Sequence, residues 1–350
     1  MPKPLRKLGF LTIGLFDEDD PRRGHESTLE VIELGERLGF DSAWVRHRHL
    51  QFGISSPVAV LAAATQRTSR IHLGTAVTPL GWENPLRLAE DWATVDILSG
   101  GRLNPGVSVG PPMRYEEVKE ALYPSTDEDF SYERVKRLLG FVRGEPATAF
   151  AGTSGFEVFS DRVQPYSPGL GDRMWYGGAS LRSAQWAGEN GMNLLTSSVV
   201  RAEGASTDFA EIQLSHIQAF RAGYPEGRVS QGLVVIPTDS ATAAQRAKYA
   251  DFVARRTPRT AEPQGPARML FAQDLVGSAE EIAARLHEHA AFREVDEVAF
   301  ALPFTFEHED YVQILTDIAE KLGPALGWSR AQQPVNHAAD PADGIRVAKP

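Results

Sequence analysis

The 350-residue chain reads as an α/β protein, a (β/α)8 TIM barrel with insertions after strands 4 and 7. Three observations predict this. Residues 70–110 spell a strand, a capped helix and a second strand. The same alternation recurs from Leu8 to Leu322, and no shift in composition divides the chain. Eight such units suit closure into a ring better than an open doubly wound sheet, the other arrangement that alternation allows. Residues 1–328 are expected as one domain, and 329–350, polar and rich in Pro and Ala, as a disordered tail.

Residues 8–16 alternate apolar and polar positions as strand one. The apolar run is too short for a signal peptide and soon meets Asp17-Glu18-Asp19-Asp20. A helix is expected over 27–38, opened by a Ser27/Glu30 capping box. Strand two covers 41–46, and its helix 57–66. Strand three, 71–77, is mostly apolar and β-branched. Asn84 then offers an N-cap oxygen, and Pro85 takes the first helical position, where a missing N–H costs nothing. Leu86, Ala89, Trp92, Ala93 and Ile97 recur at helical spacing and give that helix an inward face. Gly100-Gly101 ends it, and 103–109 returns as strand four. A helix at 130–142, strand five at 173–176 and a helix at 180–189 follow. Strand six is 193–197 with a helix at 208–222; strand seven is 232–236 with a helix at 241–255. A helix at 278–290 opens on a Ser278/Glu281 box, strand eight is 297–302, and a helix at 309–322 closes the series. Of the insertions, 144–171 is too polar and rich in Gly and Pro for one helix and is expected as a small hairpin or lid. Residues 257–276 are expected as a long loop.

The formal net charge is −10, so neither nucleic acid nor an anionic membrane is an expected partner. Cysteine is absent. That removes disulfides, thiolate ligands and a cysteine nucleophile, and it fits a reducing cytoplasm. No window nears the roughly 20 apolar residues of a membrane span. A soluble cytoplasmic protein is expected.

Ligands of such a barrel sit at the C-terminal ends of the strands. Strand two ends in Trp44-Val45-Arg46-His47-Arg48-His49. His47 and His49 have the spacing of a metal pair, but the other seven histidines fall in or beside helices, at a strand start or in the tail. No metal is therefore expected. Two readings of His47 stay open, a surface loop residue or a group facing a substrate pocket as acid, base or donor. Gly106-Val107-Ser108-Val109-Gly110 has the form of a nucleophile elbow, but Pro111-Pro112 follows where the elbow requires a helix. Ser108 is instead expected to line the barrel mouth, its flanking glycines letting a flat ligand approach the backbone. After strand five, Gly177-Gly178-Ala179-Ser180 enters a helix. Spacing alone supports an anion cradle there as well as it supports an ordinary capped turn. No G-x-G-x-x-G follows strand one and no Walker sequence is present, so neither a Rossmann site nor a P-loop is supported.

Taken together, these motifs resemble the bacterial luciferase-like flavin-dependent monooxygenases over nearly all of residues 5–325. The most specific match is the segment with IHLGTAV, LAEDWATVDILSGGRL and GVSVG. WVRHRHLQFGISSP resembles the family's strand-two end, where a histidine faces the flavin's reactive edge; His47 takes that position as the catalytic residue. GGASLRSAQWAGENGMNLLTS resembles the family's phosphate-binding turn. The resemblance implies a barrel that binds reduced FMN, supplied by a separate flavin reductase, at its C-terminal mouth. It implies that Gly178, Ala179, Ser180 and Ser183 hold the phosphate. Thr75 and Ala76 fall at a strand end where family members often carry a non-prolyl cis peptide against the isoalloxazine, and Ser108 lies beside them. O2 would add to the flavin as a C4a-hydroperoxide and oxidise a small organic substrate, with Trp44, Trp82 and Phe16 as apolar walls.

The same resemblance extends to oxidoreductases that use a deazaflavin coenzyme and to flavin-binding relatives without turnover. It also implies a homodimer, with Trp92 and Leu98 near its face. Two positions depart from the family pattern. Val109 stands where luciferase carries a phosphate-contacting arginine, which leaves Arg182 or a basic insertion residue to replace it. Arg46-His47-Arg48 stands where the family often has Glu-His-His.

Overall fold

In a computed structural model the structure describes residues 3–110, 115–121, 129–154, 157–204 and 206–330. β1 (Lys7–Thr12) leads into α1 (Pro21–Leu38), and β2 (Ser42–Val45) into α2 (Pro57–Thr65). β3 (His72–Thr75) and its continuation β4 (Thr78–Pro79) lead into α3 (Pro85–Ser99). β5 (Leu103–Asn104) and β6 (Gly106–Ser108) form the next run, followed by the short α4 (Tyr115–Val118) and by α5 (Tyr132–Val142). β7 (Gly152–Ser154) and β8 (Glu157–Phe159) pair as an antiparallel hairpin ahead of β9 (Trp175–Gly177). Then come α6 (Leu181–Glu189), β10 (Asn193–Ser197), β11 (Val199–Arg201), α7 (Phe209–Gly223), β12 (Val229–Gly232) and β13 (Val235–Pro237). The chain continues through α8 (Ala243–Arg256), β14 (Met269–Phe271), β15 (Leu275–Gly277), α9 (Ala279–Glu288), β16 (Glu297–Ala301) and α10 (His308–Asp317).

The parallel sheet runs β4-β6-β9-β10-β12-β16-β1-β2-β3-β5. Its two ends are pieces of neighbouring runs. β3 pairs with β5 while β4, continuing the same run, pairs with β6. The sheet thus curls on itself in a TIM-barrel-like fold, with helices covering its outer face. Parallel strands covered on both sides bury nearly every residue; all four residues of β2 are buried. Trp44 on β2 is fully buried, and its indole fills the space a side chain at position 74 would need: a Cβ on Gly74 would lie 2.2 Å from the ring.

Helix starts follow the capping chemistry of the sequence. Asn84 accepts the amides of Leu86 and Arg87 at 3.0 and 3.2 Å, with Pro85 first in α3, and Gly100 ends that helix at φ 71°. The Ser278/Glu281 box is formed. α1, in contrast, opens at Pro21, six residues before the expected Ser27. The same pairing of cap and proline sets it: Asp20 accepts the amide of Arg23 at 3.0 Å. Ser27 lies inside the helix, bonded to His308 Nδ1 at 2.8 Å.

Four further expectations are corrected. The barrel strand of the seventh unit is 229–232, upstream of the expected 232–236, because its polar Gln231 is buried on a hydrogen bond to Gln213. The buried face of α3 includes Leu88 and Asp96, whereas Leu86 and Ile97 are exposed. Trp92 is 1% exposed, so it belongs to the core and not to a dimer face. Segment 257–276, expected as a loop, contains β14, which pairs antiparallel with β11, and the start of β15, which runs parallel to β13. Residues 331–350 and Pro111-Pro112 lie outside the described residues.

Asp96 ties α3 to the sheet and to the segment before β9. Its carboxylate accepts the Leu103 amide at 3.1 Å, the Ser167 hydroxyl at 2.5 Å and the Arg173 guanidinium at 2.6 Å. Removing it strands a buried donor set, which costs about 3 kcal/mol or more. Asp96→Ala should lower the unfolding free energy, measured by urea denaturation, by that amount, and Asp96→Asn, which keeps one acceptor oxygen, by less.

Candidate active site at the barrel mouth

A cavity of about 1250 Å³ opens at the C-terminal ends of the strands. A smaller one, about 170 Å³, lies at their N-terminal ends around the Arg228–Glu297 ion pair. In barrels of this kind ligands bind at the C-terminal end, so the larger cavity is the candidate site. Its floor is apolar, made by Leu11 of β1, Ala76 and Val77 between β3 and β4, Leu195 of β10 and Ala299 of β16. The Ala76–Val77 peptide is cis.

The residues singled out in the sequence converge here, with one exception. His47, Ala76, Ser108, Gly178, Ala179, Ser180 and Ser183 all line the cavity. Thr75 lies behind it, fully buried. Its hydroxyl donates to the Gly106 carbonyl and accepts the Gly106 amide, both at 2.9 Å, and so fastens β3 to β6. Of the expected walls, Trp82 lines the cavity. Trp44 is core, its Nε1 donating to Ser42 Oγ at 2.9 Å, and Phe16 packs against His25 and Phe52.

His47 stands at the end of β2 with both ring nitrogens buried and without a hydrogen-bond partner. Burial, followed by the neighbouring His49 and Arg48, pushes its pKa down to about 4 against the pull of the Ser55 carbonyl. Burial also lowers His49, whose ring stacks on Trp82 at 4.0 Å and lies 4.4 Å from the His47 ring. Glu83 Oε1 is 3.9 Å from His47 Nε2, and burial and Asp91 raise the Glu83 carboxyl above its ordinary value. One ligand atom from each of His47, His49 and Glu83 lies within 4.8 Å of the others, close enough to hold a metal ion between them. Sequence reasoning looked for further ligands at other strand ends and missed Glu83. It sits on the turn ahead of α3, beside the Asn84 cap that drew attention instead.

Across the cavity, Ser180 caps α6 in a reciprocal box with Ser183. Ser180 Oγ donates to Ser183 Oγ at 3.0 Å and accepts the Ser183 amide at 3.2 Å. The Leu181 amide is taken by Glu203 at 2.7 Å, while first-turn geometry leaves the Arg182 amide with no acceptor inside the helix. Val109 lines the cavity without a cation of its own. Arg182 is exposed over the Tyr132 ring at 5.8 Å. The cation nearest in the backbone network is Arg201 on β11, whose amide donates to the Ala179 carbonyl at 2.7 Å and which also lines the cavity. Nothing in the local sequence around Arg201 marks it; the pairing of β11 with β14 brings it to the mouth.

A family model described as luciferase-like monooxygenase matches residues 8–293. The chain therefore belongs to the luciferase-like monooxygenase family. Among individual relatives, the 4-hydroxyprotoasukamycin monooxygenase of Streptomyces nodosus subsp. asukaensis is 37% identical over 109 residues, 31% of this chain and 27% of the relative. An F420-dependent glucose-6-phosphate dehydrogenase of Amycolatopsis mediterranei is 31% identical over 126 residues, 34% of this chain and 37% of the relative. The matches thus span well under half the length of these curated relatives. In solved structures, the oxygenating constituent of 3,6-diketocamphane monooxygenase from Pseudomonas putida, in complex with FMN, superposes with a TM-score of 0.66 at 15% identity. That match covers 92% of this chain and 99% of that one.

Because the folded pKa of His47 lies below its unfolded value near 6.5, the unfolded chain binds the extra proton between about pH 6.5 and 4. The stability tied to neutral His47 is therefore present above that window and lost as pH falls through it. Between pH 7 and pH 5 the wild-type chain should lose about 2 kcal/mol more than His47→Gln, measured by urea denaturation at each pH.

Proposed function

We propose that this chain is the oxygenase component of a two-component flavin monooxygenase, using reduced FMN from a separate reductase and O2 to oxidise a small organic molecule. The observation that carries this is the buried, unpartnered and neutral His47 facing a wide apolar-floored cavity whose opposite side is the Ser180 turn. The residues fit the cofactor. The floor accepts a flat ring. The Ala179 and Arg182 amides, the hydroxyls of Ser180 and Ser183 and the cation of Arg201 suit a phosphate at a helix N-terminus.

Reduced FMN, when bound, supplies the electrons that activate O2 for transfer of one oxygen atom to the substrate. The chain's own contribution is to bind, to exclude water and to hold a proton. Neutral His47 keeps one N–H and one lone pair at the mouth. Glu83, 3.9 Å away with a raised pKa, is the neighbouring carboxyl that a small side-chain rotation brings within hydrogen-bond reach as its proton donor. The apolar floor and Trp82 keep bulk water from that proton. In the same proposal the protein acts in the cytoplasm as a homodimer, with the exposed Leu86, Ile97 and Leu98 of α3 as the dimer face.

A second reading on the same fold is hydride transfer with a deazaflavin coenzyme, favoured by the F420-dependent relative. Fluorescence titration separates the two. FMN should bind at least tenfold more tightly than riboflavin, and Ser180→Ala should remove most of that difference. Tighter binding of the deazaflavin coenzyme than of FMN would favour the second reading, and no affinity for either would sink both. With FMN bound, His47→Gln should keep the affinity and lower reductase-coupled turnover by about 100-fold or more.

A further inference from the structure

The chain carries a formal charge of −10, yet the described residues lining its mouth include five arginines, Arg46, Arg48, Arg201, Arg256 and Arg259, and no carboxylate. Arg201 belongs to the phosphate end beside Ala179. The others come from the end of β2 and from α8 and the turn after it.

Two of these share one support: Arg46 lies over the Phe304 ring at 5.9 Å and Arg256 over the same ring at 5.2 Å. Arg259 stacks on Phe271 at 4.4 Å. Behind them a single buried carboxylate, Asp274, is bonded to Arg256 Nε and, at 3.2 Å, to its other nitrogen, and lies 3.9 Å from Arg259. Arg46 and Arg48 have no ion pair among the described residues. Burial, then Arg48, brings Arg46 down to about 10, and burial lowers Arg48 as well. Several guanidiniums held on aromatic rings around one spent carboxylate repel one another. Such an arrangement is stabilised by an incoming anion, which planar guanidiniums bind bidentately.

We propose that Arg46, Arg256 and Arg259 bind the anionic head of the substrate, so that the oxidised molecule is an organic acid, a carboxylate or sulfonate with an apolar body. This rests on the flavin reading above, which gives the Ser180 end to the cofactor phosphate and leaves the arginine end for the substrate. Leu302, Phe304 and Trp82 line the space in which the apolar body lies.

Calorimetric titration of the purified protein at saturating FMN with 1-octanesulfonate, octanoate and 1-octanol tests this. At least one of the two acids should bind tenfold or more tightly than the alcohol. Arg46→Gln and Arg259→Gln should each weaken acid binding about tenfold, with FMN affinity and the thermal midpoint unchanged. Arg255→Gln, exposed on α8 and paired with Asp251, should change nothing. Equal binding of acid and alcohol, or acid affinity indifferent to both variants, overturns the proposal. So does failure of both acids to bind while FMN binds. If FMN fails to bind but the acids still bind through Arg46 and Arg259, the cofactor assignment falls and the acid site stands. If instead those two substitutions weaken only the deazaflavin coenzyme, the arginines serve a cofactor tail and the proposal is wrong.

Discussion

Everything in this molecule depends on starting a parallel strand beside its neighbour without leaving backbone amides bare. Parallel strands enter the sheet from loops at one end, and amides that the ladder does not reach need acceptors. Side chains from helices, turns and neighbouring strand starts provide them. Glu36 on α1 takes the amides of Ser69, Arg70 and Ile71 at 3.0, 2.8 and 2.9 Å. Asp41 takes Leu8 at 2.8 Å, Asp96 takes Leu103, and the Asn193 side chain takes the Arg228 amide at 3.1 Å. One end of the ring is thus fixed by acidic and amide side chains that reach across sequence separations of more than thirty residues in three of the four cases. The other end is left free for chemistry.

That division also separates the charges. At the strand starts carboxylates accept backbone amides and pair with guanidiniums such as Arg173 and Arg228, while the described residues lining the cavity at the strand ends include five arginines and no carboxylate. In such surroundings an imidazole stays neutral and a carboxyl holds its proton more tightly than in water. The state of His47 and Glu83 follows from this: burial drives the two in opposite directions, His47 down and Glu83 up, so the imidazole gives up a proton readily while the carboxyl keeps one. A neutral imidazole beside a carboxyl that keeps its proton suits acid–base work.

Much of the fold was legible because caps and strands are local. Asn84-Pro85 and Ser278/Glu281 act within four residues, and the alternation of apolar strands with amphipathic helices needs no partner to be seen. What escaped was set by distant partners. Gln231 reads as polar and belongs outside a strand core until Gln213, itself bonded to Thr196 at 2.8 Å, accepts its side-chain N–H. Asp96 turns the face of α3 inward because Ser167 and Arg173, more than seventy residues away, receive it. At the site, His47 and the Gly178–Ser183 turn could be found from short motifs. Glu83, Arg201 and the Phe304-supported arginines could not, since each comes from a different segment and only the closed ring brings them together.

The ribbon of β11 and β14 and the short pairing of β13 with β15 attach the segment bearing Arg256 and Arg259 to the barrel through three residue pairs each. None of the carboxylates that secure the strand starts lies in that segment. Changes confined to that segment therefore leave the strand-start bonds in place. Arg256 and Arg259 at the mouth and the carboxylates that hold the strand starts are encoded in separate stretches of the chain.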